Sequence, residues 1–451
     1  MKRAIWLLFV ATVAVAASAQ LTGQWTGSLK LPGASLRLNL NFTTDDAGAL
    51  AATLDSPDQN AYGIECDKAT LAEGRVEVSL GKIGASYSGT VQADSIVGTF
   101  AQGTAKMPLT LRRVAVPSKR AEREQTPRPP FPYEVSEVKF ANPAGGMTLA
   151  GTLTMPKEAR NVPAVVMITG SGPQNRDEEI MGHCPFAVIA DHLTRQGIAV
   201  LRYDDRGTGS SGGNFATATT TTLATDARAA FDYLATQPGI DKKRMGYIGH
   251  SEGGTIAFLN ASTDKRVAFV VALAAPTMKG SEILTRQNEM IYEAATGSAL
   301  PATIRQQVVD MFAAIERSTS AEALRGELRQ ILKADSLPAA QRGNVEQQIA
   351  AACTPWYIEF VKTDPTAALR ALRCPILALG GSLDVQVDAR ACLARITKLC
   401  GKKRVTTKEY PGLNHLFQPC DSSQAGLNYG AIEQTIAPEV LSDISSWILG
   451  R

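Results

Sequence analysis

Apolar and polar residues alternate along several short runs in the first quarter of the chain. In residues 36–42 the letters LRLNLNF repeat with a period of two, which is the pattern of a half-buried β-strand. The same alternation recurs in residues 76–80, 96–100 and 109–111. Turn-forming residues, such as those at 45–48, separate the runs. The pattern predicts a small all-β barrel or sandwich over residues 20–113.

The hydrophobic pattern changes after residue 133. Almost uninterrupted apolar runs replace the alternation, at residues 162–168, 198–201, 245–248, 267–274 and 374–379. Such runs are typical of strands that are buried on both faces of a parallel sheet. Helical stretches lie between them, at residues 186–196, 225–236 and 254–262. Alternating strands and helices predict an α/β domain over residues 134–451, with a mostly parallel sheet flanked by helices.

One long segment, residues 280–367, interrupts this alternation because it lacks a good strand pattern. Apolar residues recur along it at helical spacing, with Ile304, Val308, Phe312 and Ile315 on one face and Leu324, Leu328, Ile331 and Leu332 on another. A helical insertion after a central strand would cover the carboxyl ends of the sheet strands, where α/β folds bind ligands. We therefore expect a helical cap at about 280–367, with a helical extension remote from the site as the alternative.

The chain also contains a predicted leader and a predicted linker. Lys2 and Arg3 precede an apolar stretch at 5–16, and the small residues of 17–19 follow it. This layout predicts a cleaved signal peptide over residues 1–19, a secreted or periplasmic protein, and no integral membrane span after cleavage. Residues 114–133 hold five prolines among mixed charges, which predicts a semi-rigid linker between the two domains.

Composition narrows the classes of function. The 451 residues are 44% hydrophobic and 20% charged, with a net charge of +3 and no Lys/Arg-rich stripe, so a nucleic-acid partner is not expected. Seven cysteines leave at least one thiol unpaired or intermolecular, and their spacing does not fix any pairing. They include no C-x-x-C pair, which argues against a zinc site of that kind.

Ser251 is the predicted nucleophile. It lies at the centre of GHSEG at residues 249–253, between an apolar run and a helical stretch. The G-x-S-x-G pattern works by placing serine on a sharp turn from strand to helix. Ser211 also fits the pattern, in GSSGG, but two glycines, an asparagine and a threonine run follow it instead of a helix. The context therefore selects Ser251 and rejects Ser211.

A second motif overlaps the rejected serine. Residues 207–212, GTGSSG, satisfy the G-x-G-x-x-G pattern of dinucleotide-binding sites. Such a site needs a helix that begins at the third glycine, so that the helix N-terminus holds the pyrophosphate. No helical pattern begins there, and we expect no nicotinamide or other organic cofactor.

The base and the acid follow from chain order. In α/β-hydrolases the order is serine, acid, histidine, and His415 is the only one of four histidines that follows Ser251. It lies in a loop after the strand pattern of residues 404–409. Asp384 directly follows the apolar run at 374–379 and is the predicted acid. Asp388 is its rival, but an acidic residue there also suits the start of a helix.

Two preorganised donors must stabilise the tetrahedral intermediate of acyl transfer. The backbone N–H of Glu252, directly after the nucleophile, is the first predicted donor. The second is expected from the loop after the first central strand, residues 169–174, where small residues let the backbone approach the oxyanion. We assign it to Ser171. A tight turn with no catalytic part is the alternative reading of this loop.

Three motifs in order resemble one family. They are GSGPQNRD at 170–177, YDDRGTGSSG at 203–212 and GHSEGG at 249–254, and together they resemble the bacterial EstD-type esterases. That family belongs to the α/β-hydrolase superfamily, near the serine aminopeptidase-like hydrolases. The resemblance covers about residues 134–451 and implies hydrolysis of short-chain carboxylic esters without a metal or cofactor. It also implies a triad of Ser251, Asp384 and His415, and structural roles for Asp204 and Arg206.

The favoured function is therefore a serine esterase that acts on a small-molecule ester through an acyl-enzyme. A serine peptidase with the same triad is a second hypothesis, since Glu178 and Glu179 follow the oxyanion loop and could hold a substrate amine. A third is an envelope- or glycan-binding protein with an inactive hydrolase domain. The residues do not determine the acyl length, the role of the β domain or the oligomeric state.

Overall fold

The computed structural model describes residues 21–31, 34–44, 50–56, 61–72, 74–103, 105–114, 123–421 and 429–451. The chain divides into two compact units, one up to Glu122 and one from Arg123 to Arg451. The predicted signal peptide and residues 115–122 of the predicted linker lie outside the described residues. Among the residues described, no helix has the length and apolar composition needed to cross a membrane.

The first unit is a nine-stranded antiparallel sheet. Its strands are β1 (Gly23–Leu31), β2 (Ala34–Thr44), β3 (Leu50–Ser56), β4 (Ala61–Glu65), β5 (Lys68–Ala72), β6 (Arg75–Leu80), β7 (Ala85–Gln92), β8 (Ser95–Gln102) and β9 (Ala105–Arg113). They are ordered β4-β3-β2-β1-β9-β8-β7-β6-β5. The four alternating runs all lie within these strands. Burial follows the alternation, because every second residue of β6 is buried against a core that contains Trp25, Phe42 and Tyr87.

The second unit contains eight strands. They are β10 (Glu134–Asn142), β11 (Met147–Met155), β12 (Val162–Ile168), β13 (Ala199–Tyr203), β14 (Ile240–His250), β15 (Phe269–Leu273), β16 (Ile376–Gly381) and β17 (Val405–Tyr410). The sheet order is β10-β11-β13-β12-β14-β15-β16-β17, and β11 is antiparallel to both of its neighbours. The other strands pair in parallel. This is the strand order of an α/β-hydrolase, so the fold expected for residues 134–451 is confirmed.

Several helices of this unit cover the two faces of the sheet, and others form the insertion between β15 and β16. The helices follow in chain order. They are α1 (Pro185–Arg195), α2 (Thr220–Leu234), α3 (Glu252–Thr263), α4 (Gly280–Thr296), α5 (Ala302–Arg317), α6 (Ala321–Ile331), α7 (Ala339–Ala352), α8 (Pro355–Lys362), α9 (Thr366–Ala371), α10 (Ala389–Cys400) and α11 (Pro438–Leu449). Val166 on β12 joins a core with α2, α3 and α10, whereas Val165 joins a core with α1 and α11. Successive residues of a strand point to opposite faces, so both must be apolar.

The strands β10 and β11 and the start of helix α2 differ from the sequence predictions. The strands β10 and β11 were not predicted, because β10 is largely exposed and threonines and a glycine interrupt the apolar residues of β11. Helix α2 begins at Thr220, five residues before the predicted start. Thr219 and Thr222 form a reciprocal capping box there, so a threonine run that disfavours a helix interior instead begins a helix.

The segment between β15 and β16 is helical throughout, from α4 to α9. It has a core of its own that includes Phe312, Ile315, Leu324 and Leu328. Ile304 was wrongly assigned to this buried face. It is 42% exposed, and the neighbouring residues of the first turn of α5 are exposed as well.

The second half of the predicted linker packs on the second unit. The guanidinium of Arg123 lies 2.9 Å from the Glu433 carboxylate, and the Gln125 side chain donates to the carbonyl of Ile436. The Gln125 oxygen also accepts from the backbone N–H of Thr435. Residues 123–133 therefore belong structurally with the hydrolase sheet.

Candidate active site

Ser251 lies between the end of β14 and the first residue of α3. Its backbone has φ 51° and ψ −122°, a conformation that non-glycine residues rarely adopt. The flanking glycines permit this turn to pack closely. A Cβ on Gly249 would lie 2.2 Å from the carbonyl oxygen of Gly253, and a Cβ on Gly253 would lie 2.1 Å from that of Ile168. The strand–turn–helix context that selected Ser251 is therefore present.

His415 and Asp384 meet at the carboxyl ends of two neighbouring strands, β17 and β16. The Nδ1 of His415 lies 2.7 Å from Oδ2 of Asp384, and both side chains are buried. The other oxygen of Asp384 accepts the N–H groups of Gln386 and Val387, which fix the carboxylate. Asp388 is the N-cap of α10 and does not contact the histidine. The arrangement leaves Nε2 of His415 as the nitrogen that can take a proton.

The glycine-rich loop after β12 is held at both ends by one buried carboxylate. Asp205 accepts from the hydroxyl of Thr169 at 3.0 Å and from the backbone N–H of Gln174 at 2.9 Å. Burial raises the pKa of Asp205 well above its ordinary value. Inside the loop, the N–H of Gly170 donates to Glu178 at 2.6 Å. That N–H is thus already used and is not free to bind an oxyanion.

Glu252 supplies more than a backbone N–H. Its side chain is 1% exposed and accepts hydrogen bonds from the hydroxyls of Ser171 and Thr220 and from the indole of Trp356. Burial raises the pKa of this carboxyl, and the three donors oppose part of that rise. As the first residue of α3, Glu252 also has a backbone N–H without an intrahelical partner. Sequence reasoning identified the N–H but missed the side chain.

A second acid–histidine pair lies behind the first. His250, directly before Ser251, has Nδ1 2.9 Å from Glu178 Oε1 and Nε2 3.1 Å from the backbone oxygen of His415. Its ring packs against the ring of His415 at a centroid distance of 4.8 Å. Sequence reasoning missed His250 as a functional residue. Its place beside the nucleophile was the only available signal, because its partners lie 72 and 165 residues away.

The motif at residues 203–212 supports the segments around the site and does not line the cavity. Asp204 accepts from the guanidinium of Arg176 at 2.7 Å, and Arg206 binds Asp226 on α2 at 2.7 Å. Burial opposes ionisation of Asp204, but hydrogen bonds from Arg176 and from a backbone N–H lower its pKa overall. Ser211, the rejected serine, donates its hydroxyl to the Asp204 carbonyl at 2.7 Å and is engaged in the loop.

A cavity of about 320 Å³ opens beside Ser251. Ser251, His415 and Ser171 line its floor together with Glu178 and His250. Its other walls come largely from the helical insertion. They include Ile283, Leu284, Gln287 and Asn288 from α4 and Trp356, Tyr357 and Phe360 from α8. No Lys or Arg belongs to the lining formed by the described residues. Nowhere among the described residues of the chain do three or more His, Cys, Asp or Glu residues form a group suited to hold a metal ion.

Comparisons with known proteins relate this chain to hydrolases. A family described as serine aminopeptidase, S33, matches residues 183–418. Esterase EstD of Thermotoga maritima is 24% identical over 304 residues, which cover 67% of this chain and 65% of EstD. The uncharacterized protein PA2218 of Pseudomonas aeruginosa is 32% identical over 141 residues, covering 31% of this chain and 36% of that protein. The chain thus matches less than two thirds of the length of either relative.

Solved structures resemble the chain as well. The crystal structure of PA2218 has a TM-score of 0.47 and 18% identity, and the superposition covers 75% of this chain and 99% of PA2218. A structure of the Pyrococcus furiosus esterase Pf2001 has a TM-score of 0.43 and 16% identity, covering 70% of this chain and 91% of Pf2001.

Proposed function

The chain belongs to the serine aminopeptidase S33 family of α/β-hydrolases, and we propose that it is a serine carboxylic-ester hydrolase with Ser251 as its nucleophile. The observation that carries the proposal is the 2.7 Å contact between His415 and Asp384 at the cavity that Ser251 lines. The similarity to esterase EstD supports the ester class of substrate.

The proposed reaction is acyl transfer in two steps. Asp384 accepts a hydrogen bond from the Nδ1–H of His415 and so holds the tautomer in which Nε2 is a base. Nε2 removes the proton of Ser251 Oγ as Oγ attacks the ester carbonyl, and the same proton then passes to the departing alkoxide. Water, activated by Nε2, attacks the acyl-serine, releases the carboxylic acid and regenerates the serine hydroxyl.

The oxyanion of each tetrahedral intermediate would be bound by two backbone N–H groups, those of Glu252 and Ser171. The hydroxyl of Ser171 is already donated to Glu252, at 2.9 Å. This contact therefore holds the second donor in place relative to the first. The second donor lies in the loop whose two ends Asp205 holds.

The helical insertion acts in this proposal as a cap over the acyl-binding cavity. Its helices α4 and α8 supply mainly apolar and amide side chains to the wall, and the cavity volume of about 320 Å³ suits a short acyl chain. The described lining holds no Lys or Arg that could pair with an anionic acyl group. The proposed substrate is therefore an ester of a short, uncharged acid.

The hydrogen bonds of the acidic side chains near Ser251 favour an ester over an aminopeptidase substrate. An aminopeptidase would need a carboxylate available for the substrate ammonium group. Glu178 is bound by Gly170 and His250, and the carboxylate of Glu252 has three donors of its own. Glu179, the remaining candidate, accepts from Asn175 and is not part of the described cavity lining.

Two measurements test the proposal together. A fluorophosphonate probe is expected to label the wild-type protein and not the Ser251→Ala variant, while Ser211→Ala, altered in the duplicate motif, is still labelled. The wild-type protein is expected to hydrolyse p-nitrophenyl butyrate faster than aminoacyl-anilides. Absence of labelling would refute the nucleophile and favour the binding-protein hypothesis. Faster turnover of the anilides would instead assign a peptidase.

A further inference from the structure

His250 has an unusual set of hydrogen-bond partners. Both of its ring nitrogens face acceptors, namely the carboxylate of Glu178 at 2.9 Å and the carbonyl oxygen of His415 at 3.1 Å. The side chains of His250 and Glu178 are only 8% and 5% exposed, so water does not replace a missing partner easily. A neutral imidazole has one N–H and can satisfy only one of these acceptors. An imidazolium satisfies both.

The proton belongs on the histidine rather than on the acid. A free imidazolium has a pKa of about 6.5 and a free glutamic acid about 4.3, so a shared proton favours the imidazole. The same oxygen of Glu178, Oε1, also accepts the N–H of Gly170 at 2.6 Å. Burial lowers the pKa of His250, but the charge of Glu178 and its hydrogen bond outweigh burial and raise the pKa overall.

We propose that His250 is a positioning residue that works as a buried imidazolium paired with Glu178. The pair forms one continuous chain of hydrogen bonds, from the Gly170 N–H through Glu178 and His250 to the backbone carbonyl of His415. It thereby fixes the loop that carries the base relative to the loop that carries the oxyanion donor. The proposal deepens the proposed function, on which it rests, because it assigns a second acid–histidine pair to the same site.

The charged groups around His250 come from three separate loops. Glu178 follows β12, Asp384 follows β16 and His415 follows β17, while Ser251 is the neighbour on its own element. Asp384 adds an attractive charge, and the ring of His415 packs against His250 with the two planes inclined by 50°. Glu178 and Asp384 thus lie beside two rings. One is the His250 imidazolium, and the other is His415, which gains a proton in each step of the proposed reaction.

Two variants separate positioning from simple support of the fold. Glu178→Gln keeps an acceptor for Gly170 but removes the charge, and His250→Gln keeps a polar side chain with a single donating group. Each is expected to lower kcat by roughly 10- to 100-fold with little change in KM, because the base and the oxyanion donors lose their fixed separation. The double variant is expected to lose about as much as either single one, since the two residues act as a unit.

The protonation state can be read without any substrate. The chain has four histidines, so ¹⁵N NMR of the histidine-labelled full-length protein, compared with His250→Gln, assigns the His250 signals. At pH 8, where a free histidine is neutral, both ring nitrogens of His250 are expected to carry protons. Glu178→Gln should convert His250 to a neutral ring, and the matched control Glu179→Gln should change neither the spectrum nor kcat.

A neutral His250 in the wild-type protein at pH 8 would overturn the proposal, because the shared proton would then belong to Glu178. Wild-type kcat in Glu178→Gln would overturn the positioning role. If neither variant folds, the ring signals of His250 are assigned in the wild-type protein by correlation with its own backbone amide, and the wild-type spectrum still decides the protonation state. Failure of the proposed function is distinguishable, since it would appear as absent Ser251 labelling whatever the state of His250.

Discussion

The indole nitrogen of Trp356 lies 3.0 Å from one carboxylate oxygen of Glu252 and 3.2 Å from the other. Trp356 belongs to helix α8 of the insertion, and Glu252 is the residue after Ser251. A wall of the cavity is therefore tied directly to the turn that carries the nucleophile. Ser171 donates to the same carboxylate, so the oxyanion loop shares this anchor.

Replacing Trp356 with phenylalanine should weaken this anchor while keeping an aromatic wall. A hydrogen bond to a buried carboxylate contributes about 1.5–3 kcal/mol, and its loss leaves Glu252 less well solvated. We expect KM for p-nitrophenyl butyrate to rise. We also expect the free energy of unfolding in urea to fall by about 1.5–3 kcal/mol, the contribution of the lost hydrogen bond. Trp447→Phe removes an indole bond to the Thr406 hydroxyl at an exposed position and serves as the control. Equal effects of the two variants would contradict a special role of Trp356.

Asp384 and Asp388 provide a matched pair of carboxylates four residues apart. Asp384→Asn should lower kcat by on the order of 10⁴-fold, because an amide that donates to Nδ1 imposes the wrong tautomer on His415. Asp388→Asn should retain nearly wild-type activity, since asparagine caps a helix as well as aspartate does. Steady-state kinetics of both variants distinguish the assignments. A larger loss in the Asp388 variant would reverse the choice of acid.

Gly253 is expected to tolerate no side chain. An added Cβ would lie 2.1 Å from the carbonyl oxygen of Ile168, which belongs to the central strand β12 and cannot withdraw alone. Gly253→Ala should therefore destabilise the protein by about 3 kcal/mol or more, measured by chemical denaturation. Gly326→Ala is the control, because no atom lies within 4 Å of its added Cβ. On helix α6 the Gly326→Ala substitution should stabilise the protein by about 0.5–1 kcal/mol. Destabilisation by Gly326→Ala would show that it is not a neutral control for Gly253→Ala.

His250 should make stability depend on pH. Its pKa in the folded protein is raised, so above pH ~6.5 the folded state keeps a proton that the unfolded state has released. The stabilisation is complete below pH ~6.5 and is lost as pH rises through the folded-state pKa. Urea unfolding between pH 6 and pH 9 should show the gap between the wild-type protein and His250→Gln narrowing with pH. A gap that widens would indicate a neutral His250 in the fold.

The local pattern of the sequence determined the sheet and the placement of Ser251. Strands such as β12 are apolar on both faces because helices cover both sides of the sheet. The resulting unbroken apolar run can be recognised in the sequence of a single strand. The turn at Ser251 depends on neighbouring glycines, which the sequence also displays. His415 followed from chain order, because only one histidine comes after the nucleophile.

Only the tertiary structure decided which side chains support these residues. Glu178 reaches His250 across 72 residues, and Trp356 reaches Glu252 across 104. Such contacts depend on the order of strands in the sheet and on how the insertion docks, and no local spacing encodes either. For the same reason the exposed strand β10 was not predicted, and Ile304 at the outer end of α5 was wrongly assigned to a buried face. Burial depends on neighbours that are distant in the chain. The local sequence thus predicted a nucleophile, whereas the packing of distant segments assembled the charges around it.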